Sequence, residues 1–486
     1  MQFIYRVLWT IVVLALPASA QSETPTVGQD PSDAAAGSLS AYEGQYEYSN
    51  GSTLIMVRGP NNKLLYASIN GARYPLKPAG KDTFLNAAGV EVVFVRGDKD
   101  EIAAYREMQS EVPEENPLYR MLDRNMRLSR AIWYPRPKGA PEQYTYRAPK
   151  EINDGLPVGS PSSDDPLLER LESMTSDIYA NAFPGVESVL LFKQGVLVFE
   201  EYFYAFERDT QHQQRSATKS LVALLLGAAL DAGKISSLDA EVLPFFEEYM
   251  DLEHVDDNKL ALTLRDLLSM QSGFDCDDWD QASPGNESKM VQTNDWARFM
   301  LNLPVSDPPG SRGSYCSGNV ILIGKIIEKA VGMPLKQFAD EALFGPLGIH
   351  DYQWDFRPDL SNTNNFVQAW LRPRDMLKIG ILLADEGKWN GQQILSANWI
   401  EQLTSKQSEI GGTPYGYFFW RRYLVHEGQR VEIHQMSGNG GQKVILLDEH
   451  TILVLTGGNY NQQSHTSELL LNYILPGLKS RKSEDD

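Results

Sequence analysis

Ser216 and Lys219 stand three residues apart at the head of an apolar run from Leu221 to Ala232. In a helix that spacing puts both on one face, so the lysine amine lies beside the serine hydroxyl. A seryl hydroxyl is a poor nucleophile at its own pKa and needs a neighbouring base, a role open to a lysine kept neutral by burial. The start of a helix also presents unpaired backbone N–H groups to a developing oxyanion. Alone, a serine and lysine at this spacing read equally well as a helix start with a surface lysine. Two further polar constellations weigh against that plainer reading.

The first runs from Pro309 through Ser314-Tyr315-Cys316-Ser317-Gly318-Asn319, immediately before a helical stretch that begins at Val320. Tyr315 suits acid/base work, because an adjacent ammonium lowers the pKa of a phenol and lets it take and return a proton. Ser317 is placed to relay a proton or to bond the substrate. The second is Ser437-Gly438-Asn439-Gly440-Gly441-Gln442, which leads into a strand at Lys443. Glycines just before an edge strand admit a ligand close to the backbone, so this strand can offer an N–H to an oxyanion. A nucleophile, a proton handler and an oxyanion donor are the parts of an acyl-transfer site.

The elements that must bring these together are spread over 486 residues, long enough for more than one domain and, at 42% hydrophobic residues, rich enough for a sizeable core. Residues 1–20 read as a signal peptide, with Arg6, the apolar run Val7 to Leu16 and the small residues Ala18-Ser19-Ala20 before a cut at Gln21. Residues 21–38 read as a flexible linker rich in Ser, Thr, Pro and Gly. Residues 39–107 carry short alternating strands between turn signals and predict a small β-sheet or barrel module with no catalytic constellation of its own. Residues 108–164 read as a proline-rich connector. Residues 165–475 form the domain that holds all three constellations, and 476–486 read as a polar tail.

Within 165–475, Asp165-Pro166 caps a first helix, and Ser188 to Phe192 and Val196 to Tyr202 form a hairpin around Gln194-Gly195. Helical periodicity dominates from Leu243 to Leu403, and strands return at Tyr415, Val431, Lys443 and Thr451 before a last helix near Ser464 to Ile474. Strands at both ends with helices between predict an α+β domain: one antiparallel sheet built from the two ends, with a helical region inserted. Ser216 then lies at the seam of sheet and helices, where a cleft is expected.

The net charge is −20, and −21 after loss of the signal, whose one charge is Arg6. An acidic surface repels phosphate backbones and anionic lipid heads, which argues against nucleic-acid and membrane-surface partners. Seven histidines with no His/Cys/Asp cluster at ligand spacing give no support for a metal site, and nothing calls for a cofactor. Two cysteines, Cys276 and Cys316, in a chain addressed to an oxidising compartment read as one disulfide. That bridge pins the Tyr315 loop to the loop after Ser272-Gly273. Asp275, Asp277, Asp278 and Asp280, with Trp279, read as a solvated loop near the cleft mouth.

From about Asp154 to Leu475 the sequence resembles serine hydrolases of the β-lactamase and penicillin-binding type, and among them esterases and amide hydrolases that include the 6-aminohexanoate-dimer hydrolases. The likeness rests on Ser216-Ala217-Thr218-Lys219 as S-x-x-K, on Tyr315-Cys316-Ser317 in the place of Y-x-N or Y-x-S, and on Asn439-Gly440-Gly441 in the place of K-T-G or H-x-G. It implies the α/β sandwich of that family, an acyl-enzyme on Ser216, proton transfer shared by Lys219 and Tyr315, and an oxyanion hole from the Ser216 N–H and an N–H at Gly441 or Gln442. Asn439 in place of a lysine removes a partner for a substrate carboxylate, and Ser317 in place of an asparagine weakens the hold on a substrate amide. Both departures favour small esters or atypical amides over the two alternatives of this chemistry, β-lactams and D-Ala peptides. A catalytically silent binding protein on the same fold is the non-enzymatic alternative.

Overall fold

The structure, a computed structural model, describes residues 39–48, 53–59, 63–69, 72–86, 89–108, 110, 112–124, 133–137, 140–358, 368–448 and 450–478. The signal peptide and linker expected over 1–38 lie outside the described residues, as does the tail beyond 478.

The first described residues form a closed barrel. Its strands are β1 Gly44–Glu47, β2 Thr53–Arg58, β3 Leu65–Ile69, β4 Ala72–Gly80, β5 Thr83–Leu85, β6 Glu91–Arg96, β7 Ile102–Glu107 and β8 Tyr119–Asp123. All neighbouring strands are antiparallel, and β8 closes the ring on β1 through Tyr46 opposite Met121. β8 falls inside the stretch read as a connector, because Tyr119-Arg120-Met121-Leu122-Asp123 has no turn signal beside it and only half alternates. One end of the barrel is plugged by aromatic rings: Tyr42, on a 3-10 turn at Leu39–Tyr42, stands edge-on to Phe84 at 5.0 Å and tilts over Phe94 at 4.8 Å. Tyr46 and Tyr105 complete the plug, their centroids 5.6 Å apart.

The larger domain opens with helix α1, Pro166–Tyr179. Asp165 caps it, accepting from the Leu167 N–H at 2.9 Å, and Pro166 occupies the first turn, where a missing N–H costs nothing. Strands β9 (Val186–Lys193) and β10 (Val196–Tyr202) follow as a hairpin. Gln194 and Gly195 both have positive φ, 51° and 87°, the backbone that matches a two-residue turn to the twist of its strands. Two short pairs, β11 (His212–Gln213) with β12 (Trp370–Leu371) and β13 (Lys388–Trp389) with β14 (Gln392–Gln393), lie off the main sheet. The chain then adds β15 Ser408–Ile410, β16 Thr413–Tyr415, β17 Trp420–His426, β18 Gln429–Gly438, β19 Gln442–Asp448 and β20 Thr451–Gly457.

These build an antiparallel sheet in the order β10-β9-β20-β19-β18-β17-β16-β15, so the two ends of the domain meet where β9 pairs with β20, Leu191 opposite Leu453. One face of the sheet packs on α1 and the C-terminal helical stretch through Leu171, Ile178, Leu470 and Ile474. The other face carries the inserted helices, chiefly α2 (Ala217–Asp231), α3 (Ser317–Val331) and α4 (Pro373–Ala384). Ala217 through Ala229 in α2 are all buried, polar residues included, because the helix is walled in by the sheet on one side and α3 on the other. Each buried leucine of α2 contributes about 1.5–3 kcal/mol, which holds the head of the helix in one place.

Candidate active site

Ser216 is the residue at which the chain turns into α2. Arg215, just before it, has φ 51°, a left-handed conformation costly for a residue with a Cβ, and so is held there by its surroundings. Part of that hold is Gly438, at the end of β18: a Cβ there would come within 2.1 Å of the Gln214 carbonyl oxygen and 3.2 Å of the Arg215 Cβ. Only glycine permits this approach. It brings the last residues of β18 against the turn that presents Ser216, with the N–H groups of the helix start close by.

Lys219 reaches back along α2 and donates to Ser216 Oγ at 3.3 Å and to Ser317 Oγ at 2.9 Å. Ser317, in the first turn of α3, donates in turn to Glu287 Oε2 at 2.6 Å. Tyr315 lies against both: the Lys219 ammonium stands 5.2 Å from its ring centre, and its phenol interacts electrostatically with Ser216 and Lys219. Lys219, Tyr315 and Ser317 are buried. The structure therefore joins Ser216, Lys219, Tyr315 and Ser317, and adds Glu287, which no motif in the sequence marked.

The electrostatics reverse two expectations. Burial opposes the Lys219 charge, but Tyr315, Glu287 and Asp278 together outweigh it and raise the pKa, so the resting lysine is an ammonium and not the neutral amine expected of a buried lysine. For Tyr315, burial raises the phenol pKa and Glu287 and Asp278 add to it, overriding the pull of Lys219 and Ser216, so its pKa is raised where the neighbouring ammonium alone predicted a fall. The sequence reasoning counted one neighbour and missed the two acids.

Asp278 is one of those acids, and the solvated role expected for it is corrected here. Its N–H donates to the Tyr315 carbonyl at 2.8 Å, and its carboxylate accepts from the N–H of Ser317 at 2.6 Å and of Glu287 at 2.9 Å. It thus straps Tyr315-Cys316-Ser317 in place while facing the helix start of α3. Burial, then the Glu287 charge, push its carboxyl up to about 6. Trp279 next to it is exposed, with its ring stacked on Tyr315 at 5.3 Å, and Trp420 stacks on the same tyrosine at 5.8 Å. These two tryptophans frame the cleft mouth; Trp420 had no sequence signal beyond its type.

Cys276 and Cys316 are joined in a disulfide across 40 residues. With Asp278, the bridge ties both sides of the Tyr315 loop. Closing a loop of that length is worth about 4 kcal/mol in the chain-entropy account, and native bridges usually deliver 2–4. Reduction of the folded protein is expected to lower Tm by several degrees, and an unchanged melting curve in reductant would show that the Tyr315 loop is held without it.

The glycine loop is held by contacts to β20 and the loop that follows it. Asn439 is exposed and donates to Asn461 Oδ1 at 2.6 Å; Gly440 bridges to Asn459; Gly441 lies against Gly457 and Ser464; and Gln442 is fully buried, with its amide donating to the Gly457 carbonyl. Gly438, which abuts the turn before Ser216, stands opposite Gln442 in the sheet, so the start of β19 lies beside that turn as well. Lys443 sits opposite Ser437 in the sheet and donates to its hydroxyl, and burial with the Arg422 charge lowers its pKa to about 7.

The sequence pattern of the Beta-lactamase family matches residues 171–454. The chain is 26% identical over 293 residues to 6-aminohexanoate-dimer hydrolase of Paenarthrobacter ureafaciens, a match covering 55% of this chain and 71% of that protein. It is 28% identical over 152 residues to Esterase EstB of Burkholderia gladioli, covering 29% of this chain and 38% of the esterase. Among solved structures, a family VIII carboxylesterase aligns at a TM-score of 0.52 and 17% identity, over 66% of this chain and 99% of that one.

Proposed function

The chain belongs to the beta-lactamase family of serine hydrolases, and from that membership we propose that it cleaves small ester or amide bonds outside the cytoplasm through an acyl-enzyme on Ser216. The observation that carries this reading is the grouping of a half-buried Ser216 with the buried Lys219 and Tyr315. Export is supported by the signal-like residues 1–20 and by the disulfide. The name of the first relative specifies an amide substrate and that of the second an ester, and both bonds suit the same acyl transfer.

The resting ammonium must first discharge. Ser317 Oγ takes a proton from Lys219 and passes its own to Glu287, along hydrogen bonds of 2.9 and 2.6 Å. The neutral amine then removes the Ser216 proton as Oγ bonds to the substrate carbonyl carbon, and the Ser216 N–H and backbone at the end of β18 receive the oxyanion. Tyr315 donates its phenolic proton to the departing oxygen or nitrogen as that bond breaks, and Lys219 reprotonates it. Water attacks the acyl carbon, and the same groups return a proton to Ser216.

The test is burst kinetics with p-nitrophenyl acetate and butyrate, with the acyl adduct located by peptide mass mapping. A burst and an adduct on Ser216 are expected; no adduct with either ester would favour a silent binding protein. Glu287→Gln probes the relay. With no acceptor for the lysine proton, kcat is expected to fall about 100-fold. Asp278 holds the Ser317 N–H through its carboxylate, so the wild-type rate should fall as pH drops through about 6, where Asp278 titrates. Removing the Glu287 charge lowers the Asp278 pKa, so the acid limb of the variant's weaker profile should move to lower pH. An unchanged limb would remove Glu287 from the mechanism.

A further inference from the structure

The barrel and the hydrolase domain meet at residues from both. A cavity of about 590 Å³ lies at this junction, lined by Leu54, Ala67, Tyr74 and Leu76 from the barrel and by Arg215 and Tyr460 from the larger domain. That volume is in the range that holds a small-molecule ligand. Its walls are mainly aliphatic and aromatic. Arg215 is the feature that links it to chemistry: it is the residue before Ser216, and it also lines the small cavity that contains Lys219, Glu287 and Ser317.

Arg215 is held between the two domains. Its guanidinium stands 4.5 Å from the Tyr460 ring centre, and it interacts with the hydroxyls of Tyr74 and Tyr460. Its Nε is nevertheless buried without a hydrogen-bond partner among the described residues, an arrangement that costs free energy unless an acceptor arrives. On the far side, burial pushes the Glu107 carboxyl up, which weakens its repulsion of an anionic or carbonyl oxygen. Asn439 ties the loop after β18 to Asn461, which borders the same cavity.

We propose that the barrel supplies the binding site for the apolar arm of the substrate, an aliphatic acyl chain that runs from Ser216 past Arg215 into the barrel mouth, with Arg215 donating to an oxygen at the near end of the arm. This rests on the acyl-enzyme reading above. It gives the barrel a part in specificity: the arm gains binding with each carbon that enters the aliphatic wall. Longer chains are therefore preferred, by about fourfold in kcat/KM for each added methylene that is buried.

Two measurements keep this separate from the reading it rests on. Decanoate binding to the full chain is followed by isothermal titration calorimetry, with no need for turnover, and the ratio of kcat/KM for p-nitrophenyl decanoate to that for the acetate is measured alongside. Ala67→Trp fills the cavity, and Leu54→Phe fills part of it while changing the barrel wall less; melting curves report whether each barrel folds. The expected result is saturable decanoate binding in the wild type, weakened at least tenfold in Ala67→Trp and less in Leu54→Phe, with the decanoate-to-acetate ratio falling in the same order. Equal binding to wild type and both folded variants, or no binding to the wild type, would overturn the proposal. Failure to hydrolyse any ester would overturn the function instead, and the calorimetry would still decide the cavity.

Discussion

Ser216→Ala is expected to lower kcat/KM for p-nitrophenyl acetate by about four orders of magnitude, with no acyl adduct in intact-mass spectra after mixing. Removing the nucleophile of a serine hydrolase leaves only the catalysis supplied by oxyanion donors and binding, which accounts for losses of this size. The fold should report little of the change. Ser216 makes no side-chain cap for α2, and its hydroxyl accepts one long, part-buried hydrogen bond from Lys219, so Tm should change by no more than a few degrees. Loss of adduct with a melting curve shifted no further than that is the combined result that assigns the nucleophile. An adduct that persists in the variant would move the reaction to another hydroxyl.

Lys219→Met has the second-largest expected effect, and it should appear in both activity and stability. For activity, the serine loses its proton acceptor and Tyr315 its proton source, and a loss of about 1,000-fold is expected. For stability, the lysine is the cation that faces Tyr315, Glu287 and Asp278 together, and removing one member of a buried charge cluster leaves the others uncompensated. The sign with pH follows from Asp278. Its folded pKa, about 6, lies above the ordinary value of 3.8, so its contribution to stability is full below about pH 4 and lost as pH rises through 6. Without Lys219 that pKa rises further, and the loss extends to higher pH. Lys219 itself has a raised pKa, so the stabilisation that it gives the wild type persists through neutrality and is lost only above its own titration. The variant should therefore melt close to the wild type at pH 4 and about 5 °C or more below it at pH 8. A constant gap across that range would mean that the cluster is not electrostatically coupled as described.

The contact of Lys219 with Ser216 was legible in the sequence because it depends on local geometry, a three-residue spacing on one helix face. The hairpin at Gln194-Gly195 and the Asp165-Pro166 cap were legible for the same reason, since turn and cap chemistry act within four residues. The architecture of the larger domain followed from the order of strand and helix periodicities, because a sheet whose two ends are separated by helices has few ways to close.

Glu287 and Asp278 were not legible. An acid in a loop looks the same in sequence whether it is solvated or folded under a helix start, and only the approach of that loop to α3 made these two part of the proton network. The same cause reversed the pKa directions of Lys219 and Tyr315, because a titration depends on every charge within reach and not on the nearest in sequence. The glycine loop shows the limit from the other side. Gly438, Gly440 and Gly441 are alike as residues, and which of them touches the nucleophile turn was decided by where β18 ends against Gln214. The sequence by itself determined the class of fold and the pairing of Ser216 with Lys219, through short-range geometry and the order of elements; the tertiary structure alone decided which charges surround that pair, the approach of Gly438 to the turn before Ser216 and the barrel's contact with Arg215, all set by contacts between segments far apart in the chain.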